Sequence, residues 1–346
     1  MKYRYLGRTG ILVSEFTLGT MSFGAPGWGC DRKEAASILL DYIDAGGNLV
    51  DTADVYAKGE AESIIGEVLD PARRERVLLA SKCGFPFGDP VGGLGSSRRH
   101  MVASVEGSLK RMKTDYIDLF YLHRPDPTTP MEEVLETLEV LTKQGKILHS
   151  AFSNLPAWRL ALADQAAKNR FSAGFACGQY LYNLADRSCE QEIIPAMLHQ
   201  GIGFLAWSPL AGGLLTGKYQ GNAEVPAGSR FDFRKGLDVP RFWNERSKGI
   251  ALELALTAQE IGTSPARLAL AWLLSKNYVS SVILGPRTRT HVSDSLAAAS
   301  LELPEDLVAR LDGFSQPTKN YLWGFNEETN AQFSARGRLF PGAQIV

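Results

Sequence analysis

Asp51 and Tyr56 stand five residues apart in "GGNLVDTADVYAKGEAESIIGEVL", residues 46–69, the first straight after an apolar run and the second in the loop beyond it. A buried carboxylate costs several kcal/mol unless something pairs with it, so a cation is expected elsewhere in the chain. "LLASKCG" supplies Lys82 and "FYLHRPDP" supplies His123, each closing another apolar run. A tyrosine, with an ordinary pKa of about 10, is a poor acid near neutrality. A cation about 4 Å away at an effective dielectric of ~20 contributes up to ~4 kcal/mol, nearly three pH units. Lys82, held by Asp51, is therefore expected to bring Tyr56 toward the range useful for proton transfer. A neutral His123 would aim a ring N–H at a carbonyl oxygen. Taken singly, each residue has an ordinary explanation: a turn-forming Asp, a packing Tyr, a rim Lys, a structural His. On three successive strand ends they make a site. No metal-type spacing accompanies them.

Those strand ends need a frame. Eight short apolar runs read as strands: "FTLGT" from Phe16, "NLVDT" from Asn48, "VLLASK" from Val77, "IDLFYLH" from Ile117, "LHSAFSN" from Leu148, "FACGQY" from Phe175, "IGFLAWS" from Ile202 and "SVILG" from Ser281. Between them "RKEAASILLDYIDAG", "SRRHMVASVEGSLKRM" and "PMEEVLETLEVLTKQGK" carry apolar residues at helical spacing. Alternation of this kind implies right-handed parallel crossovers, and eight units imply an α/β fold of the (β/α)8 TIM barrel type. An open doubly wound sheet would show a Gly-rich turn after its first strand, and "LGTMSFGAPGWGC" lacks GxGxxG. "KYRYL", "GRTG" and "ILVS" form an N-terminal hairpin over residues 1–15. A long Gly/Pro-rich loop, "SPLAGGLLTGKYQGNAEVPAGSRFDF", precedes the last strand, with helices expected from about Pro240 to Lys276. The tail, 316–346, reads as an arm because Tyr321, Trp323 and Phe325 cluster in it. The whole chain, 1–346, is expected to be one barrel domain.

Bulk properties narrow the function. With 37 basic and 38 acidic residues the formal charge is −1, so no overall field draws the chain to nucleic acid or an anionic membrane. No run approaches the ~18 apolar residues of a membrane span, and "MKYRYLGRTG" lacks the apolar stretch of a signal peptide. Cys30, Cys83, Cys177 and Cys189 are scattered, which fits reduced thiols in a cytoplasmic protein.

The motifs "VDTADVY", "ASKCG", "LFYLHRPDP", "FSNL", "GQYLYN" and "WSPLAGGLLTGKY" occur in order, and through them the chain resembles the aldo-keto reductase superfamily over essentially the whole barrel. The resemblance implies a catalytic tetrad of Asp51, Tyr56, Lys82 and His123, with Tyr56 as general acid and NADPH as cofactor. It implies cofactor contacts from Gly19, Thr20, Met21 and Asp51. Ser153, Asn154 and Gln179 would hold the nicotinamide carboxamide, and Trp207 would stack on its ring. Ser208, Pro209, Leu210, Gly212, Lys218 and Arg230 would line the pyrophosphate and ribose path. Gly285, Arg287, His291, Asp294 and Ser295 would hold the adenosine 2′-phosphate and adenine, with Arg289 directed to solvent. Tryptophan at 207 is similar to the subset that includes potassium-channel β-subunits.

Two functions follow from the resemblance: an NADPH-dependent reductase of aldehydes or ketones, run in either direction, or an NADPH-binding redox-sensing subunit with little turnover. A glycosidase would need two carboxylates flanking one bond, and only Asp51 stands clearly at a strand end. Trp28, Phe85, Phe87, Trp323 and Phe325 are the candidate lining for a small carbonyl or alcohol substrate. The sequence carries no signal for oligomeric state.

Overall fold

Among the described residues the apolar runs fold as ten strands. Tyr3–Tyr5 (β1) and Leu12–Ser14 (β2) pair antiparallel as the hairpin. The other eight are Phe16–Gly19 (β3), Leu49–Asp51 (β4), Leu78–Cys83 (β5), Ile117–Leu122 (β6), Ile147–Ser153 (β7), Phe175–Leu181 (β8), Gly203–Trp207 (β9) and Val279–Leu284 (β10). They close into an all-parallel barrel in the order β10-β3-β4-β5-β6-β7-β8-β9. The structure is a computed structural model and describes residues 1–339 except 89–90, 171 and 222–223; the last part of the tail, 340–346, lies outside the described residues.

Two packed regions hold the barrel. Inside it, Leu49, Ala80, Leu119, Tyr121, Ala151, Cys177, Leu205 and Ile283 form one cluster, which Leu6 and Val13 of the hairpin region complete. Gly7 packs against Gly201 and Gly203 at the start of β9, so the hairpin plugs the N-terminal mouth. Outside, the helix Arg32–Asp44 buries Ala35, Ile38, Leu39, Tyr42 and Ile43 against the strands. The helices Arg98–Met112 and Met131–Lys143 repeat the pattern. The helix Arg32–Asp44 stops just before Gly46, whose φ of 87° is the left-handed conformation that glycine tolerates. Because every barrel strand is parallel, all C-terminal ends share one rim, the face where such barrels build sites.

The insertion differs from expectation. Its helices begin at Arg230, ten residues before Pro240, as Arg230–Phe233, Lys235–Phe242, Glu245–Glu260 and Pro265–Ser275. The Ser229 side chain accepts the Asp232 N–H and so starts the first turn, a signal masked by the surrounding glycines. Pro240 sits within a helix. The tail forms a helix, Tyr321–Leu339, tethered by Asn320 to Gln191 at 2.9 Å. Tyr321 and Phe325 stack on each other, 78% and 53% exposed.

Candidate functional site

The register of β3–β5 brings the strand ends together. Asp51 pairs with Gly19 and Ala80, and Lys82 with Tyr121. Lys82 is completely buried; its Nζ lies 2.6 Å from Asp51 Oδ1 and 2.7 Å from the Thr52 carbonyl. The same Nζ is 3.4 Å from the Tyr56 hydroxyl. Gln179, from the end of β8, donates to Asp51 Oδ2 at 2.7 Å. One continuous relay thus runs Gln179–Asp51–Lys82–Tyr56 to the half-buried phenol. Asp51 has its cation, as its position in the sequence required. His123 follows β6, with its ring edge-on to Tyr56 at 5.8 Å and to Phe85 at 4.7 Å between centroids. Its Nδ1 is buried without a partner among the described residues.

Electrostatics correct one expectation. Tyr56 is raised above its ordinary pKa, not lowered: burial outweighs the pull of Lys82, and Asp51 adds to the rise. The cation that should acidify the phenol also faces a carboxylate, which offsets part of its pull on Tyr56. Burial pulls Lys82 down, but Asp51 and Tyr56 overcome it and the ammonium is held above its usual range. Burial, then Lys82 and Arg124, push His123 well below its usual value, which leaves a neutral imidazole. The site at neutral pH is a protonated phenol, an ammonium and an uncharged histidine.

The other sequence-predicted residues gather along the same rim. Thr20 donates its hydroxyl to the Asp51 carbonyl at 3.0 Å, between Gly19 and Met21. Ser153 donates to the Gln179 carbonyl at 2.8 Å, Asn154 to the Ser153 hydroxyl at 2.8 Å, and Trp207 to Asn154 Oδ1 at 3.3 Å. Asn154 and Ser208 both adopt left-handed φ, 58° and 55°, outliers of the kind that cluster at ligand clamps. Pro209 and Leu210 lead into a kinked turn, Ala211–Thr216, in which Gly212 and Gly213 also have positive φ. Lys218, Arg230, Arg287 and His291 lie within one another's fields: burial, then Arg287 and Arg230, lower Lys218, and burial, then Arg287 and Lys218, lower His291. Among the described residues neither Lys218 nor Arg287 has an acidic ion-pair partner. A Cβ at Gly285 would meet no atom within 4 Å, so packing does not demand that glycine. Unneutralised cations beside open backbone fit a polyphosphate. Thr288 caps the helix Arg289–Leu296, which carries Asp294 and Ser295. Asp294 is paired with Arg267 at 3.0 Å. Arg289 is not a solvent-facing side chain alone, since it grips Asp41 at 2.6 and 2.9 Å.

Phe85 lies beside His123, and Phe87 beneath Arg111 at 5.0 Å. Trp28 sits under Arg230 and Arg234 at 5.7 and 5.5 Å. Trp323 and Phe325 contact Lys319 and Tyr321 within the tail; no described ring contact joins them to the relay. Sequence reasoning missed Asp238, which is buried and accepts from Arg230 at 2.9 Å and Arg234 at 3.1 Å. The spacing of Arg230, Arg234 and Asp238 in "RFDFRKGLD" was the available signal, an i, i+4, i+8 face. Among the described residues no group of three or more His, Cys, Asp or Glu is placed to hold a metal, and no helix is long and apolar enough to cross a membrane.

A parallel barrel with a carboxylate–lysine–tyrosine relay on its C-terminal rim places the chain among barrel oxidoreductases. The model of the aldo/keto reductase family matches residues 15–316, and the chain belongs to that family. It is 36% identical over 327 residues to the uncharacterized oxidoreductase YrpG of Bacillus subtilis, covering 90% of this chain and 95% of that protein. It is 37% identical over 305 residues to a probable voltage-gated potassium channel subunit beta of Oryza sativa subsp. japonica, covering 86% and 91%. The versiconal hemiacetal acetate reductase of Aspergillus parasiticus is 31% identical over 336 residues, covering 89% and 95%.

Proposed function

We propose that the protein is an NADPH-dependent oxidoreductase that interconverts an aldehyde or ketone and its alcohol, with Tyr56 as the proton donor to the carbonyl oxygen. The observation that carries this reading is the buried relay ending at Tyr56, 3.4 Å from a lysine already held by Asp51. A protonated phenol beside an ammonium is a competent general acid: the proton passes to the developing alkoxide while Lys82 stabilises the phenolate left behind. Neutral His123 orients the carbonyl by donating a ring N–H. When bound, NADPH supplies the hydride. Ser153, Asn154 and Gln179 would hold its carboxamide and Trp207 would stack on its nicotinamide. Lys218 and Arg230 would take the pyrophosphate, and Arg287 the 2′-phosphate. The four free cysteines suit a cytoplasmic setting.

A second reading, an NADPH-binding subunit with little turnover, is favoured by Trp207 and by the similarity to a probable channel subunit. Steady-state reduction of simple aldehydes with NADPH and with NADH separates the two. Turnover is expected, with NADPH preferred by roughly ten- to a hundred-fold, the worth of one charge-assisted phosphate contact. In Arg287→Ala, NADPH affinity should fall while NADH affinity barely moves, read by fluorescence quenching at one fixed salt concentration. Equal losses for both cofactors would remove Arg287 from the 2′-phosphate, and absence of turnover would favour the regulatory reading.

A further inference from the structure

One carboxylate at the rim serves three arginines. Asp238 is 1% exposed; its Oδ2 accepts the Nε–H of Arg230 and of Arg234, while Arg241 lies 4.0 Å from Oδ1. Three guanidiniums on one carboxylate leave a local surplus of positive charge. The bonding is also side-on, so Asp238 takes only the Nε–H of Arg230 and Arg234. Among the described residues no hydrogen bond takes up their terminal amino groups. Both side chains are partly exposed, 22% and 21%, so these amino ends are accessible to an anion, which a guanidinium binds through charge-assisted bonds.

The two arginines flank Trp28 and share Asp238. Arg230 shares its field with Arg287, the group suited to the cofactor's phosphates. Arg234 is tied to the rim through Asp238, because Arg241 on the same carboxylate stands over Trp207, and it adds a minor positive influence at the Tyr56 phenol. Arg241 continues the cationic edge over Trp207 at 5.7 Å.

We propose that Arg234, steered by Asp238 beside Trp28, anchors an anionic group on the carbonyl substrate. The substrate class is an aldehyde or ketone bearing a carboxylate or phosphate, which the planar guanidinium fork grips through its two free amino ends. Asp238 is a positioning residue that sets the direction of that fork. This deepens the carbonyl-reductase reading and rests on it.

The test compares 4-formylbenzoate and 4-formylphenyl phosphate with the neutral methyl 4-formylbenzoate. Wild type should prefer at least one anionic aldehyde by about tenfold or more in kcat/KM, chiefly through KM, as one charge-assisted bond allows. Which anion is preferred identifies the carboxylate or the phosphate as the natural group. Arg234→Gln should lose the preference, and Arg234→Lys, which keeps the charge without the fork, should recover part of it. Isothermal titration of 4-formylbenzoate into the NADP+-loaded protein reads the same site without turnover. Binding that Arg234→Gln abolishes, with no turnover, would sink the reductase reading and leave the anion site standing. Turnover with no charge preference, or a preference that Arg234→Gln retains, would overturn the anion site. So would an Arg234→Gln defect confined to NADPH affinity, which would assign the arginine to the cofactor.

Discussion

Lys82 Nζ makes two contacts that ask different things of it, 2.6 Å to Asp51 and 3.4 Å to the Tyr56 oxygen. The first compensates a buried charge, and breaking such a pair by removing one partner costs about 3–5 kcal/mol. The second stabilises a phenolate only when the proton has left. Tyr56→Phe separates the roles: it removes the acid but keeps the ring and the Asp51–Lys82 pair. It should lower carbonyl reduction by about a hundredfold or more with unchanged NADPH affinity; near-normal turnover would remove Tyr56 from the acid role. Lys82→Met touches both contacts. In the proposed mechanism reduction requires the protonated phenol, so activity should be lost as pH rises through the Tyr56 pKa. Lys82 is the largest influence holding that pKa down against burial, and its removal should move the alkaline limb of residual activity to higher pH. An unmoved limb in the pH–rate profile would mean that Lys82 does not tune the acid. Which four residues meet was legible in the sequence because strand ends in a parallel barrel share one rim. The direction of the Tyr56 shift was not, because desolvation depends on the depth to which the loop folds.

That loop is an element with its own foundations. After Asp51 the chain turns through Ala57 and Lys58 with φ of 46° and 58° before the helix Glu60–Val68, a cost that surrounding contacts must offset. Two buried carboxylates supply them. Asp54 accepts the Ser104 hydroxyl at 2.6 Å, and Glu62 accepts Ser81 at 2.5 Å and Arg111 at 2.6 Å. Both thereby tie the tyrosine loop to the helix Arg98–Met112 or to β5. Burial is the main reason the Asp54 carboxyl rises from 3.8 to about 6; Ser104 and Arg111 oppose and Glu62 reinforces it, while Cys83 faces it as a neutral thiol. The folded state therefore holds a proton here that the unfolded chain has released between those pH values. Stability contributed by Asp54 falls as pH rises from about 4 to about 7, by up to about 3 kcal/mol at ~1.4 kcal/mol per pH unit. Asp54→Asn removes the titration, so its stability relative to wild type should improve across that window in urea unfolding. Parallel curves at every pH would show that Asp54 does not titrate as the burial implies. Helices and strands were legible from periodicity, whereas this anchoring was not. Asp54, Glu62 and Ser104 look like ordinary polar residues until tertiary packing closes over them.

At the scale of the molecule, the candidate site and the hairpin plug occupy opposite ends of the barrel, and the seam between the first and last strands joins them. β10 pairs with β3 from Val282–Phe16 to Leu284–Leu18, and Ser281 bonds Thr17 at 2.6 Å and the Ser14 carbonyl at 2.8 Å. The pairing was implied by the count of eight runs, although β10 begins at Val279, two residues ahead of the run read from Ser281. What fastens the hairpin across this seam was not legible, since it is one side chain meeting backbone some 270 residues away. Arg4 donates to the carbonyls of Leu274, Lys276 and Val279 at 2.5, 3.1 and 2.7 Å. Its cation sits where the helix Pro265–Ser275 ends, the place at which a helix dipole favours positive charge. Replacing it with methionine keeps the aliphatic stem but leaves three half-buried carbonyls short of a donor. The expected cost is about 3 kcal/mol, from bonds to a charged group worth ~1.5–3 kcal/mol, seen as a lower urea midpoint with an unchanged slope. Below that transition, Arg4→Met should reduce an aldehyde with wild-type kcat/KM, because Arg4 lies at the N-terminal mouth and the relay on the C-terminal rim. Loss of activity in the folded variant would mean that the two ends are coupled through the barrel; an unchanged midpoint would mean that the hairpin closes by its apolar plug of Leu6 and Val13 alone.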